Sequence, residues 1–392
     1  MVSEAGSERP FVIDIRESIL EKKGQFFVLN NKPHPGRTAF LAGMFTPVES
    51  SFGAFLLHLS TTHLLLGNGR VLGASGVLGS AFWKPDGHNI PLLAGMGISA
   101  LGTWYFDTWW KPSYAGAPEI FGGWTWVICG LLVGVGTKVC LFSFVWGSFM
   151  LYAVSLAQFW NAIANAPPKY SNGCTSGHML CGIPLGRLRS VVAAITFSAT
   201  CLVAATVVGA YTESPCGSTP CYIPTYPTPA RVKQLIAITA TATAITRTSL
   251  PLLRKLPQRT AEIITSLWSG ALFSLGLMIA GMTDPTKPLG FYSMITDGGK
   301  RWDPSFLMIP IFALLPNFLI WRRVVGRADA APRGGWKTPP KKGIDFKLIA
   351  GSAVFGIGWG LLGACPGPGI VGGFLGGWRG ASWVFGFVLG RY

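Results

Sequence analysis

Charged residues are scarce in this chain of 392 residues. Acidic residues number 16, and the four charged types together make up 12% of the sequence, about half the share of a typical soluble domain. Hydrophobic residues make up 49%, the mean hydropathy is +0.43, and there are 51 glycines. This composition excludes an ordinary soluble domain and is typical of a multi-pass helical membrane protein whose helices pack closely.

Several catalytic signatures are also missing. The sequence has no GxxxxGK[ST] phosphate loop, which argues against ATP-driven transport within the chain. It has no HExxH helix, nucleophile elbow or paired-carboxylate arrangement. Residues 1–36 lack the apolar core of a secretory signal. We therefore expect no cofactor and no enzymatic activity of these classes, and we expect the first apolar segment to direct membrane insertion.

Nine apolar segments are long enough, or nearly so, to cross a bilayer. They are residues 48–66, 89–108, 121–136, 190–211, 232–250, 262–282, 303–321, 348–363 and 381–392. A straight span needs about 20 residues, so the short last segment leaves a truncated C-terminus open. We predict an all-α integral membrane protein with about nine transmembrane helices.

Lysine and arginine gather in loops separated each time by two predicted spans. These residues are Arg187 and Arg189; Arg254, Lys255 and Arg259; and the basic run within 322–347. Cytosolic loops carry the excess of positive charge, so the net charge of +16 indicates topology in a lipid bilayer, not a nucleic-acid partner. Loop 212–229 then lies outside, where Cys216 and Cys221 are either a local disulfide or two unrelated thiols. We expect the plasma membrane as the location.

The number of predicted spans implies an inverted repeat. Because the single span 232–250 separates two groups of four, the second group enters the membrane from the opposite side. We divide the chain into an extra-membrane segment 1–47, a first repeat 48–211, a connecting loop and linker helix 212–260, and a second repeat 261–392. Glycine-rich segments predict four re-entrant elements, near 69–76, 173–181, 281–290 and 363–369. Their half-helix ends would meet near the midplane and favour an anion there.

One apolar stretch, 139–163, does not fit this pattern. A tenth span there would place every later basic loop outside. We give the loop charges more weight than hydropathy and interpret 139–171 as an atypical insertion. The stretch 139–163 then lies along the interface, forms a hairpin, or is foreign to the fold.

Four short motifs resemble those of a known family. They are Gly134-x-Gly136-Thr137, Gly69-Arg70-x-x-Gly73-x-Ser75-Gly76, Asn172-Gly173-Cys174-Thr175-Ser176-Gly177-His178-x-x-Cys181-Gly182 and Gly360-x-x-Gly363-Ala364-Cys365-Pro366-Gly367-Pro368. Over about residues 48–390 the chain resembles the YeeE/YedE sulfur-transport family, as a eukaryotic-type fused member. In that family the GxGT turn usually runs almost directly into NGCTSGH. We therefore interpret 139–171 as a translated intron, with a genuine family-specific insertion as the rival.

The resemblance implies import of thiosulfate or a related sulfur-containing anion along a path lined by thiols. Cys174 and Cys365 match those thiols, and both should stay protonated because a thiolate would repel the anion. The other candidate residues of the path are Thr175, Ser176, His178, Cys181 and Ser75. Long bacterial members carry a cysteine in the first broken segment, whereas this chain has Ala74-Ser75 there. Either Ser75 replaces that thiol as a hydrogen-bond donor, or the path has one donor fewer.

Other roles remain open for some of these residues. Cys174, His178 and Cys181 supply only three ligands without zinc spacing, so we expect no metal and regard His178 as more suited to capping or packing. Lys287 and Arg70 either attract anions or serve as a helix end and an interface anchor, respectively. The alternative functions are a membrane sulfurtransferase or redox enzyme with reactive cysteines, and a channel for another small solute.

Overall fold

A computed structural model of the chain describes residues 44–83, 85–106, 110–114, 116–138, 174–339 and 343–391. The longer helical elements in these ranges are α1 (Pro47–Asn68), α2 (Ala74–Trp83), α3 (Asn89–Phe106), α4 (Thr125–Lys138), a π-helix π1 (Ser176–Gly182), α5 (Leu188–Tyr211), α6 (Pro229–Leu253), α7 (Gln258–Ile279), α8 (Thr286–Tyr292), α9 (Leu315–Val324), α10 (Phe346–Leu362), α11 (Pro366–Leu375) and α12 (Gly377–Arg391). Short 3-10 and π turns at Pro304–Leu307 and Pro310–Leu314 precede α9. The predicted insertion 139–171 and nearly all of segment 1–47 lie outside the described residues.

Four helical stretches are long and apolar enough to cross a membrane by themselves. They are Leu188–Tyr211, Pro229–Leu253, Gln258–Ile279 and Pro304–Val324. The pair α10 and α11, bent by 43° at a short break, counts as a fifth. The described residues therefore form an all-helical protein with four or five candidate spans, which confirms the predicted class at this level.

The other predicted spans also coincide with helices. Their length or their polar residues explain why they are not among the helices that are long and apolar enough to cross a membrane by themselves. Helices α4 and α12 have only 14 and 15 residues. Helix α1 has 22 residues but carries buried serines, threonines and histidines among its leucines. Hydropathy thus located these helices, whereas their crossing of the bilayer remains a prediction.

The core is built by helices from distant parts of the chain. Helix α7 packs against α1 and α3, α12 packs against α4, and α10 packs against α4 and α5. Glycines allow α4 and α12 to touch backbone to backbone: a Cβ added at Gly134 would overlap the Phe387 carbonyl, and one added at Gly386 would overlap the Val127 carbonyl. Such small-residue contacts are how helices approach closely where lipid removes most of the hydrophobic drive for packing.

Loop 212–229 carries a disulfide between Cys216 and Cys221, whose Cα atoms lie 5.6 Å apart. The Cys221 amide donates to the Lys300 carbonyl at 2.7 Å, and the Cys221 carbonyl accepts from the Phe45 amide at 2.9 Å. The loop is therefore fastened both to the start of α1 and to the connection between α8 and Pro304.

The glycine contact between α4 and α12 yields a stability prediction. Gly134→Ala should lower the melting temperature of the detergent-purified protein, because overpacking a tight contact costs about 1–3 kcal/mol. The matched control is Gly102→Ala on α3, where an added Cβ meets no atom within 4 Å and a helical alanine is favoured over glycine. Equal melting temperatures for the two variants would show that α4 and α12 do not pack this closely.

Candidate functional site

Two breaks in the helices, each bearing a cysteine, meet inside the protein. Cys365 is the N-cap residue of α11, and Cys174 lies two residues before π1. The Thr175 hydroxyl donates to the Cys365 sulfur at 3.4 Å, across 190 residues of sequence. The structure thus brings the two predicted cysteine motifs together.

The local sequence explains the break at Cys365. Helix α10 ends at Gly363, which has φ = +81°, a conformation that favours glycine. A Cβ at this position would also overlap the Pro285 carbonyl just before α8. Pro366 then occupies the first turn of α11, where the missing N–H of proline costs nothing.

The other break is fastened to the start of α2. Cys174 Sγ lies 3.1 Å from Ser176 Oγ, which accepts a hydrogen bond from the Ala74 amide at 3.0 Å. Cys181 donates through its thiol to the Leu72 carbonyl at 3.4 Å. Two side chains of the longer motif 172–182, Ser176 and Cys181, therefore pair with backbone groups at and just before the start of α2, the Ala74 amide and the Leu72 carbonyl.

A cavity of about 60 Å³ lies where the breaks meet. This exceeds the roughly 10–15 Å³ that one water molecule needs. Its polar lining consists of Thr175, Ser176 and Cys365, and its other lining residues are Leu57, Met179, Leu180, Phe273, Leu277, Met282, Pro288, Phe306, Ile309, Trp359, Gly367 and Pro368. Almost all of the wall surface is apolar, so a solute in the cavity would contact hydrocarbon on most sides and a few polar groups near the two breaks.

Four of the predicted path residues are buried but do not line this cavity. They are Cys174, Cys181, His178 and Ser75. The His178 Nδ1 is 2.9 Å from the Ser190 hydroxyl in the first turn of α5, which agrees with a packing role. Ser75 contributes its backbone carbonyl to Arg391 Nη1 at 2.6 Å. Among the described residues, no three His, Cys, Asp or Glu side chains are grouped to hold a metal.

Of the two roles considered for Lys287, its contacts favour the structural one. Its ammonium group is buried and contacts four oxygen atoms: Met44 O at 2.6 Å, Thr46 Oγ1 at 2.8 Å, Ser305 Oγ at 3.1 Å and Asp303 Oδ2 at 3.3 Å. These contacts fasten α8 to the start of α1 and to Pro304–Leu307. Asp303 offsets the lysine charge, so Lys287 holds α8 in place.

Arg70 also lies away from the cavity. It follows the end of α1 at Gly69 and acts electrostatically on His88, in the turn before α3. Burial first, and then the Arg70 charge, lower the pKa of His88 below its usual value, against the opposite effect of Glu262 at 3.4 Å. The arginine therefore belongs to a surface charge cluster at the end of α1.

A polar cluster beside the cavity was missed by the sequence reasoning. Asn317 of α9 donates through Nδ2 to the carbonyl of Leu180, a wall residue, at 3.0 Å. Its Oδ1 lies 2.6 Å from His58 Nδ1 and accepts from the Thr62 hydroxyl at 3.0 Å. Histidine and asparagine within apolar segments are themselves a signal of function, and attention to that signal would have found this cluster.

These features define a multi-pass helical membrane protein with an apolar cavity where two helix breaks meet. Residues 261–390 match the model of DUF6691, a family described as of unknown function. A "Probable transporter" from Xylella fastidiosa strain 9a5c is 36% identical over 115 residues, which are 28% of this chain and 74% of the relative. Another, from strain Temecula1, is 31% identical over 164 residues, or 41% of this chain and 93% of the relative.

Because this chain covers more than two thirds of both relatives, it belongs to the same family as these probable transporters. This membership supports a role in membrane transport. No solved structure matches the chain.

The contact between the two breaks can be tested by alkylation. Thr175→Val removes the donor to Cys365, and loss of a hydrogen bond worth about 0.5–1.5 kcal/mol should raise local opening, and hence alkylation of Cys365, roughly two- to twelvefold. Mass spectrometry after N-ethylmaleimide treatment measures the rate, with Thr175→Ser as the control that keeps the hydroxyl. Alkylation as slow in Thr175→Val as in Thr175→Ser would contradict the contact.

Proposed function

We propose that this protein imports thiosulfate, or a related sulfur-containing anion, along a central path in which Cys174 and Cys365 are neutral thiol donors. The observation that carries the proposal is the contact of Thr175 with Cys365 at the edge of the cavity. The relatives named probable transporters support transport, and the motif resemblance to the YeeE/YedE family supplies the substrate class.

The chemistry of the cavity suits this cargo. Thiosulfate has a polarisable terminal sulfur, which interacts well with apolar walls, and oxygen atoms that accept hydrogen bonds. The Ser176 hydroxyl and the Cys365 thiol each carry one hydrogen that could be donated to the anion, and the Thr175 hydroxyl would have to exchange its bond to Cys365 for one to the anion. The amino end of α11, with Gly367 in the cavity wall, adds partial positive charge. The anion would move by exchanging weak contacts, without a covalent bond to either cysteine.

We further propose nine spans arranged as an inverted repeat with four re-entrant elements. On each side of α6 the helical elements follow the same order of lengths: long, short, long, long, short, long. Before α6 these elements are α1, α2, α3, α4, π1 and α5, and after it they are, in the same order, α7, α8, Pro304–Val324, α10, α11 and α12.

The packing agrees when each element is replaced by its counterpart in the other half. The contact of α4 with α12 then corresponds to that of α10 with α5, and the contact of α3 with α7 corresponds to that of Pro304–Val324 with α1. These correspondences support the repeat.

The proposed orientation places the basic loops in the cytosol and loop 212–229 outside the plasma membrane. A disulfide in that loop supports the assignment, since disulfides persist in oxidising compartments. The two relatives are each less than half as long as this chain, judged from the shares of both chains that the matches cover. This proportion supports a chain made of two fused halves.

Radiolabelled thiosulfate uptake in a host lacking its own transporter tests the proposal. Cys365→Ala and Cys174→Ala should each reduce uptake at least about tenfold, because a hydrogen bond to a charged group contributes about 1.5–3 kcal/mol. Cys129→Ala is the matched control, since Cys129 is equally buried but lies within α4, away from the cavity.

Uptake unchanged by both cysteine substitutions would overturn the thiol path. Mass spectrometry of the purified protein after thiosulfate exposure adds a second measurement, in which we expect unmodified Cys365. A stoichiometric persulfide on this residue would instead indicate a sulfurtransferase.

A further inference from the structure

Among the described residues, no charged side chain lines the cavity to balance a bound anion. Its polar lining residues, Thr175, Ser176 and Cys365, are all neutral donors. Lys287 precedes the wall residue Pro288, but its charge is already offset by Asp303 at 3.3 Å. Burying an anion without a counter-charge is costly. A transporter for a divalent anion therefore needs another source of positive charge beside this cavity.

His58 is placed to supply it. Helix α1 contributes Leu57 to the cavity wall, and His58 is the next residue. Asn317 links the imidazole to a second wall residue, because its amide contacts both His58 Nδ1 and the Leu180 carbonyl. The buried His58 side chain does not itself line the cavity, but it lies one residue along α1 from Leu57 and one hydrogen-bonded side chain from Leu180.

The hydrogen bonds define which nitrogen can take up a proton. Asn317 Nδ2 donates to the Leu180 carbonyl, so the facing amide atom at His58 is the acceptor Oδ1. His58 Nδ1 must then carry a hydrogen in the neutral as well as the charged ring. Nε2 has no hydrogen-bond partner among the described residues, so it remains free to bind a proton.

No existing charge competes for this imidazole. The ionisable residues on the helices packed against α1, and on α1 itself, are Glu49, His63, Arg231, Lys233, Arg247, Arg259, Glu262, Arg322 and Arg323. From π1, which Asn317 contacts, come His178 and Cys181. None of these groups hydrogen bonds to His58 or acts on its charge, and within the described residues its polar partners are the neutral side chains of Asn317 and Thr62, both at Nδ1. A cationic ring there lacks a partner until an anion enters the cavity.

We propose that His58 Nε2 is a proton-binding site that couples anion import to proton import. This inference rests on the proposed function. A proton from outside binds Nε2 as the anion enters the cavity, the pair of charges is stabilised together, and both are released on the inner side. One proton carried with each anion reduces the net negative charge that must pass through the apolar cavity.

His63 provides a matched control on the same helix. It is also a buried histidine of α1, but both of its ring nitrogens are occupied: Nδ1 lies 3.1 Å from Ser269 Oγ and Nε2 lies 3.1 Å from Ser249 Oγ. These serines belong to α7 and α6, so His63 joins three helices, and among the described residues neither serine hydroxyl hydrogen bonds to a residue of the cavity wall, as the Asn317 amide does. We assign it a structural role.

The test uses the purified full chain in liposomes, with radiolabelled thiosulfate outside and the membrane potential clamped at zero. With one coupled proton, steady-state accumulation should rise about tenfold for each unit by which the outside is more acidic. His63→Gln should respond like the wild type. His58→Gln should equilibrate thiosulfate without responding to the pH gradient.

A pH-sensitive dye inside the liposomes gives a second measurement that needs no variant. A thiosulfate gradient applied to the wild type should acidify the lumen. Wild-type uptake without acidification, or a wild-type response in His58→Gln, would overturn the coupling and leave the proposed function intact. Absence of wild-type uptake would instead overturn the proposed function itself.

Discussion

Broken backbone inside a membrane protein has to be enclosed by protein, because lipid offers no partners for free N–H and C=O groups. In this chain, polar side chains fulfil that requirement: Ser176 accepts from the Ala74 amide, Cys181 donates to the Leu72 carbonyl, and Asn317 donates to the Leu180 carbonyl. Ser176 also lines the cavity, and Asn317 contacts the wall residue Leu180. At Ser176, one side chain therefore both satisfies the broken backbone and faces the cavity.

The positions of the helices and of their breaks could be predicted from the sequence, because hydropathy and glycine–proline pairs are local signals. The predicted segment 190–211 corresponds to Leu188–Tyr211, and the predicted break after Gly363 lies between α10 and α11. The partners of Lys287 could not be predicted in this way. They come from residues 44, 46, 303 and 305, and only the folded chain brings these together.

Not every residue of a family motif contacts the path. Gly134 and Gly136 of the GxGT motif lie where α4 meets two other helices: an added Cβ would collide with Phe387 on α12 and with the backbone of Phe355 on α10, respectively. The Thr137 hydroxyl returns to the Gly134 carbonyl at 2.8 Å. This motif fixes how the helices pack, whereas the cysteine motifs place donors at the cavity.

The basic loop after α9 has a structural role in the folded chain. Arg333 donates to the carbonyls of Leu253 and Leu256 at 2.8 Å each, which satisfies acceptors at the end of α6. The Lys337 amide donates to the Gly69 carbonyl at the end of α1 at 2.8 Å. Positive charge at helix carboxyl ends is favourable. Two basic residues of this loop therefore also bind it to the carboxyl ends of two helices, α1 and α6.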